Sequence, residues 1–103
     1  MNKIFTKICI ASDHAGYGLK EKIKDYLVNK SISVIDIGPF SDISVDYPDY
    51  AKKVSKRILS QKSDVGILIC GSGTGMAITA NKFKGIRAAQ CYNKSSAILS
   101  REH

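Results

Sequence analysis

The stretch "ILICGSGTGMAITANKFKG", residues 67–85, decides the fold. Ile67 to Cys70 form a short apolar run that ends on a thiol, and three alternating glycines follow, Gly71, Gly73 and Gly75. From about Thr74 the pattern turns helical. The nearly unbroken apolar character of residues 64–70 predicts a central parallel strand buried on both faces. A glycine loop between strand and helix is a common anion holder, because backbone N–H groups and the positive helix end point the same way. This one lacks the Gly-Lys-Ser/Thr ending of a nucleotide-binding P-loop, and the first strand lacks G-x-G-x-x-G.

Working outward, residues 7–12 ("KICIAS") read as a first buried strand. A helix over about 16–30 follows, with Leu19, Ile23, Tyr26 and Leu27 at helical spacing. Residues 33–37 form a second strand, closed by Gly38-Pro39. After a polar loop, Pro48 suits the first turn of a helix whose apolar stripe is Ala51, Val54 and Ile58. The helix from Thr74 runs to near Gly85. Residues 86–92 read as a fourth strand, and 93–103 as a last helix with Ala97 and Ile98 facing inward. The alternation predicts one α/β domain over residues 1–103, a doubly wound parallel sheet in three αβα layers. Two strand orders are common. In the flavodoxin-like order, 2-1-3-4-5, ligands bind where strands 1 and 3 diverge. That order brings Asp13-His14, just past strand 1, beside Cys70 and its glycines, just past strand 3.

The bulk numbers suit this reading. The chain has 103 residues, 44% hydrophobic and 24% charged, enough for one small domain. No long apolar run or signal-peptide core is present, so a cytoplasmic protein without membrane attachment is expected. The net charge of +7, from 16 Lys and Arg against 9 Asp and Glu, is spread over helices as solvated lysines, Lys20, Lys22 and Lys24 among them. No basic run with interleaved aromatics points to nucleic acid. Cys9, Cys70 and Cys91 have no metal or C-x-x-C spacing and are expected as reduced thiols. Cys9 and Cys91 are expected to be buried within strands.

Two readings compete for each polar candidate. The glycines serve tight packing, or they cradle negative charge on backbone amides. Cys70 is a small plug ending a strand, or a base at the edge of that cradle. Asp13 caps the following helix, and this does not exclude a role in chemistry. Asp46 is a helix cap or a group that reaches ligand hydroxyls. A base, an oxyanion cradle and hydroxyl-binding acids together point to proton abstraction beside a carbonyl, through an enediolate. A metal would stabilise the same charge, but no ligand cluster is visible, and neither metal nor cofactor is expected.

Four stretches carry a family resemblance: "ASDHAG" (11–16), "DYPDYA" (46–51), "GILICGSGTGMAITANKFKGIRAA" (66–89) and "LSREH" (99–103). In this order they resemble the type B ribose-5-phosphate isomerases, of the wider group that includes galactose-6-phosphate isomerase subunits. The resemblance implies interconversion of ribose 5-phosphate and ribulose 5-phosphate, a step of the non-oxidative pentose phosphate pathway. It implies that Cys70 moves the proton between C1 and C2; some relatives use a glutamate, but with Cys70 present and Met76 after the loop, the cysteine branch fits. Amides of residues 71–75, including Gly71, Gly73, Thr74 and Gly75, would form the anion hole, with the Ser72 hydroxyl beside them. Asp13 and His103 would open the sugar ring or hold its hydroxyls. His14 would lie near the phosphate, and Tyr47 and Asn81 match pocket positions. The implied assembly is a homodimer or dimer of dimers, with His103 contributed across the interface. Members of the family continue into a fifth strand, a final helix and phosphate-binding arginines, so against that pattern the chain is C-terminally incomplete; Arg87 and Arg101 are not expected to replace those arginines. The alternatives are a galactose or allose 6-phosphate isomerase, and a non-catalytic flavodoxin-like module that binds a nucleotide or a protein.

Overall fold

The computed structural model describes residues 7–102. In chain order the elements are β1 (Ile8–Ser12), α1 (Tyr17–Asn29), β2 (Val34–Gly38), α2 (Tyr47–Leu59), β3 (Val65–Ile69), α3 (Thr74–Asn81) and α4 (Lys94–Glu102). The sheet is parallel, with the order β2-β1-β3. This is the first half of the flavodoxin-like order and sets the β1/β3 edge where expected.

The core forms because side chains alternate across the central strand. Cys9 and Ala11 point to one face, where Val54 of α2 meets them, with Tyr50, Ile58, Ile37 and Leu68 packed around. Ile10, also fully buried, points to the other face. Helices α1 and α2 both touch the sheet but not each other, so they lie on opposite faces. α3 packs beside α2 against β3, which completes three layers. Full burial of an aliphatic side chain of this kind contributes about 1.5–3 kcal/mol. Pro48 sits in the first turn of α2 as expected, after Asp46 at the N-cap.

Helix α1 departs from its sequence reading. Leu19 and Tyr26 are more than half exposed, and Lys20 is wholly buried. The inner stripe is Gly16, Lys20, Ile23 and Leu27, a helical repeat that an apolar-only count misses because one member is a lysine. The Lys20 Nζ reaches Asp36 Oδ1 at 2.9 Å and Oδ2 at 2.7 Å, and Glu21 Oε2 at 2.8 Å. Lys24 adds a contact of 2.9 Å to the same Asp36 oxygen. Lys20 is therefore an internal ion-pair partner joining α1 to β2, not a solvated surface charge.

The last quarter of the chain also differs. Residues 86–92 form no strand among the described residues. The backbone N–H of Ala88 donates to Asn81 Oδ1 at 2.8 Å, and the Ala88 carbonyl accepts from Asn81 Nδ2 at 2.9 Å. A side-chain amide thus takes the groups that a ladder to β3 requires. Four corrections follow. Among the described residues β3 is an outer strand and only partly buried, not a central one covered on both sides. Cys91 is exposed, whereas Cys9 is buried as expected. α4 packs on no other described element, and Ile98 does not face a core. Helix α3 ends at Asn81 rather than near Gly85, where its terminal amide turns to hold Ala88. No helix among the described residues is long and apolar enough to cross a membrane.

Candidate active site

Strand register builds the site. Ser12 lies opposite Ile69 in the parallel β1/β3 pair. The next residues, Asp13 and Cys70, therefore leave the sheet side by side at its C-terminal edge. The Asp13 N–H donates to the Ile69 carbonyl at 3.0 Å, carrying the pairing one residue further. Gly16 lies directly on the end of β3, where a Cβ would sit 2.7 Å from the Ile69 carbonyl oxygen. Only glycine lets the β1–α1 turn approach the Cys70 loop this closely.

Each candidate has a definite place. Asp13 is 9% exposed, and its Oδ1 accepts the Gly16 N–H at 2.8 Å. This bond closes the turn before α1, but the N-cap of that helix is Gly16, with no side-chain capping bond, so Asp13 does not cap α1 as the sequence suggested. His14 is exposed, and its Nδ1 accepts the Val45 N–H at 3.3 Å, which ties the β2–α2 loop to the β1–α1 turn. Tyr47, the first residue of α2, lays its ring on Gly75; a Cβ there would come within 2.6 Å of the ring. Asp46 makes no side-chain capping bond. His103 lies outside the described residues.

The glycine loop is more differentiated than its sequence. Of Gly71, Gly73 and Gly75, only Gly73 has a positive φ, 82°, and it is the N-cap of α3. Gly75 is needed for space, beneath Tyr47. The Gly73 N–H donates to Cys70 Sγ at 3.0 Å, and the Thr74 N–H donates to Ser72 Oγ at 3.2 Å. The loop amides thus turn toward the thiol and hydroxyl that the sequence reading grouped with them. Asn81 sits apart from this cluster in its bonding: both ends of its amide serve the Ala88 backbone.

One contributor escaped the sequence reading. The Gln90 Nε2 donates to the Ser72 carbonyl at 2.6 Å and to Thr74 Oγ1 at 3.0 Å, and the Thr74 hydroxyl donates back to Oε1 at 3.3 Å. The residue lay inside a stretch read as a strand, so nothing marked it. An open groove of about 400 Å³ between α2 and α3 is lined by Tyr47, Pro48, Lys52, Thr79, Lys82 and Phe83. It excludes Cys70 and Asp13, and the site assignment rests on the converging loops instead. No group of three or more metal-ligating side chains occurs among the described residues.

Comparison with known proteins joins this geometry to a family. A sequence model described as Ribose/Galactose Isomerase matches residues 8–103. The chain belongs to the ribose/galactose isomerase family. It is similar to ribose-5-phosphate isomerase B of Escherichia coli K12, 47% identical over 97 residues, covering 94% of this chain and 65% of that protein. It is 52% identical over 96 residues to a putative sugar phosphate isomerase of Rickettsia bellii, covering 93% of this chain and 67% of the relative. Among solved structures, the ribose 5-phosphate isomerase RpiB of Thermotoga maritima superposes with a TM-score of 0.93 at 58% identity, over 95% of this chain and 68% of that one. The Mycoplasma genitalium enzyme, solved with bound ribulose-5-phosphate, gives 0.87 at 42% identity, over 94% and 65%. The chain spans about two thirds of the length of these family members.

Proposed function

We propose that this protein is an aldose–ketose isomerase that interconverts ribose 5-phosphate and ribulose 5-phosphate. Cys70 is the base. It takes the proton from C2 of the open-chain aldose and returns a proton to C1, while a proton passes from O2 to O1. The intermediate between the two transfers is an enediolate. Amides of the Gly71–Gly75 loop stabilise its charge, with the Ser72 hydroxyl alongside; one well-placed donor of this kind is worth about 3–4 kcal/mol. Asp13 and His103 assist ring opening or hold hydroxyls, His14 faces the phosphate, and Tyr47 and Asn81 shape the pocket. The observation that carries the reading is the thiol of Cys70, bonded to a loop amide and released from β3 directly beside Asp13. The relatives named ribose-5-phosphate isomerase support it. The active assembly is a homodimer or dimer of dimers in which the partner's His103 completes each site, acting on cytoplasmic sugar phosphates.

The test is Cys70→Ala, assayed with ribose 5-phosphate and for exchange of the C2 proton in D2O. Loss of a general base lowers kcat by about 10²–10⁴-fold, and the exchange should disappear with it. Near-normal turnover would sink the base assignment. The family description pairs ribose with galactose, which favours a second reading, a hexose 6-phosphate substrate. Comparison of kcat/KM across five- and six-carbon sugar phosphates separates the two.

A further inference from the structure

We propose that Gln90 is a positioning residue that locks the glycine loop and so sets the direction of the Gly73 amide at Cys70. Segment 86–92 is not fixed by a strand ladder, and two side-chain amides hold it instead. Asn81 pairs with both backbone polar groups of Ala88. Two residues later, Gln90 uses both N–H groups and its carbonyl oxygen on Ser72 and Thr74, the residues that flank Gly73. Its side chain also covers Gly73, whose missing Cβ would lie 3.3 Å from Gln90 Nε2. Glycine by itself has wide conformational freedom, and Gly73 stands at a φ of 82°. Something must select that conformation for the Gly73 N–H to meet Cys70 Sγ, and Gln90 is the side chain bonded on both sides of it. Gln90 does not touch the sulfur; it acts through the loop. The kinetic consequence rests on the isomerase reading, whereas the structural consequence does not.

The experiment compares the full chain with Gln90→Leu and Gln90→Glu. Leucine fills similar space without hydrogen bonds, and glutamate places an acceptor against the Ser72 carbonyl. Both variants should lower kcat about tenfold with KM held within about twofold, the mark of a misplaced catalytic group. Hydrogen exchange should accelerate about tenfold at the amides of residues 73 and 74, with β1, α2 and the Tm unchanged. Unchanged exchange in the loop overturns the proposal. So does acceleration throughout the molecule with a fallen Tm, which marks a merely structural role. Unchanged kcat in an active enzyme overturns it as well. A wild-type chain that isomerises no sugar phosphate removes the isomerase reading, and the exchange measurement then decides the role of Gln90 alone.

Discussion

At Gly16 and Gly75 one missing Cβ each lets two segments meet, and the two positions answer substitution differently. In Gly16→Ala the new methyl falls 2.7 Å from the Ile69 backbone oxygen and from its Cγ2. A strand carbonyl cannot swing away, so a loss of about 1–3 kcal/mol is expected, read as a shifted denaturation midpoint. In Gly75→Ala the obstacle is the Tyr47 ring, at 2.6 Å, which is free to rotate aside. Stability should fall less, while kcat/KM for the sugar phosphate falls with the displaced ring. The double variant Gly75→Ala/Tyr47→Ala should then show a coupling of at least about 0.5 kcal/mol relative to the single changes. Strict additivity would mean that the two residues do not interact. The glycine loop and Cys70 were legible in the sequence because glycine and thiol are rare, distinctive residue types. The division of labour among the three glycines was not, since φ and neighbouring rings depend on the packed structure.

On the scale of elements, the decisive contact is the ion cluster between α1 and β2. Burial pushes the Asp36 carboxyl up, but hydrogen bonds from Lys20 and Lys24 and from the Gly38 amide outweigh it and hold the group below its ordinary value. A carboxyl with a depressed folded value adds stability above the unfolded value, about 3.9, and that stability is lost as pH falls through the folded value. Acid titration of the unfolding free energy should therefore show a decline below about pH 4. Lys20→Met should flatten that decline and cost about 3 kcal/mol at neutral pH, since it leaves a buried carboxylate short of its main partner. An unaltered acid slope in the variant would contradict this account. The cluster was hidden in the sequence because lysines in a helix are normally solvated, and only the packing of α1 against β2 brings Asp36 to Lys20. Segment 86–92 was misread for a related reason. Its apolar pattern suits a strand, but Asn81, seven residues before Ala88, competes for the same backbone groups.

At the scale of the whole molecule, the exposed apolar side chains of α4 bear on assembly. Helix α4 rests on no other described element, and Ile98 and Leu99 on it are about half exposed. Under the homodimer reading these side chains meet a second copy. Light scattering should then report a dimer, and Leu99→Asp should shift it toward monomer; an unshifted mass would remove α4 from the interface. The sequence by itself determined the α/β alternation, the first three strands and the glycine loop, along with the pairing of Asp13-His14 with Cys70. Those follow from short-range periodicity and from residue types with few alternative uses. Tertiary structure alone decided that Lys20 is internal, that β3 lies at the sheet edge among the described residues, and that Gln90 bonds to the glycine loop. Each depends on which polar group finds which partner across the fold, and a buried donor or acceptor takes the partner that packing brings within reach, wherever it lies in the chain.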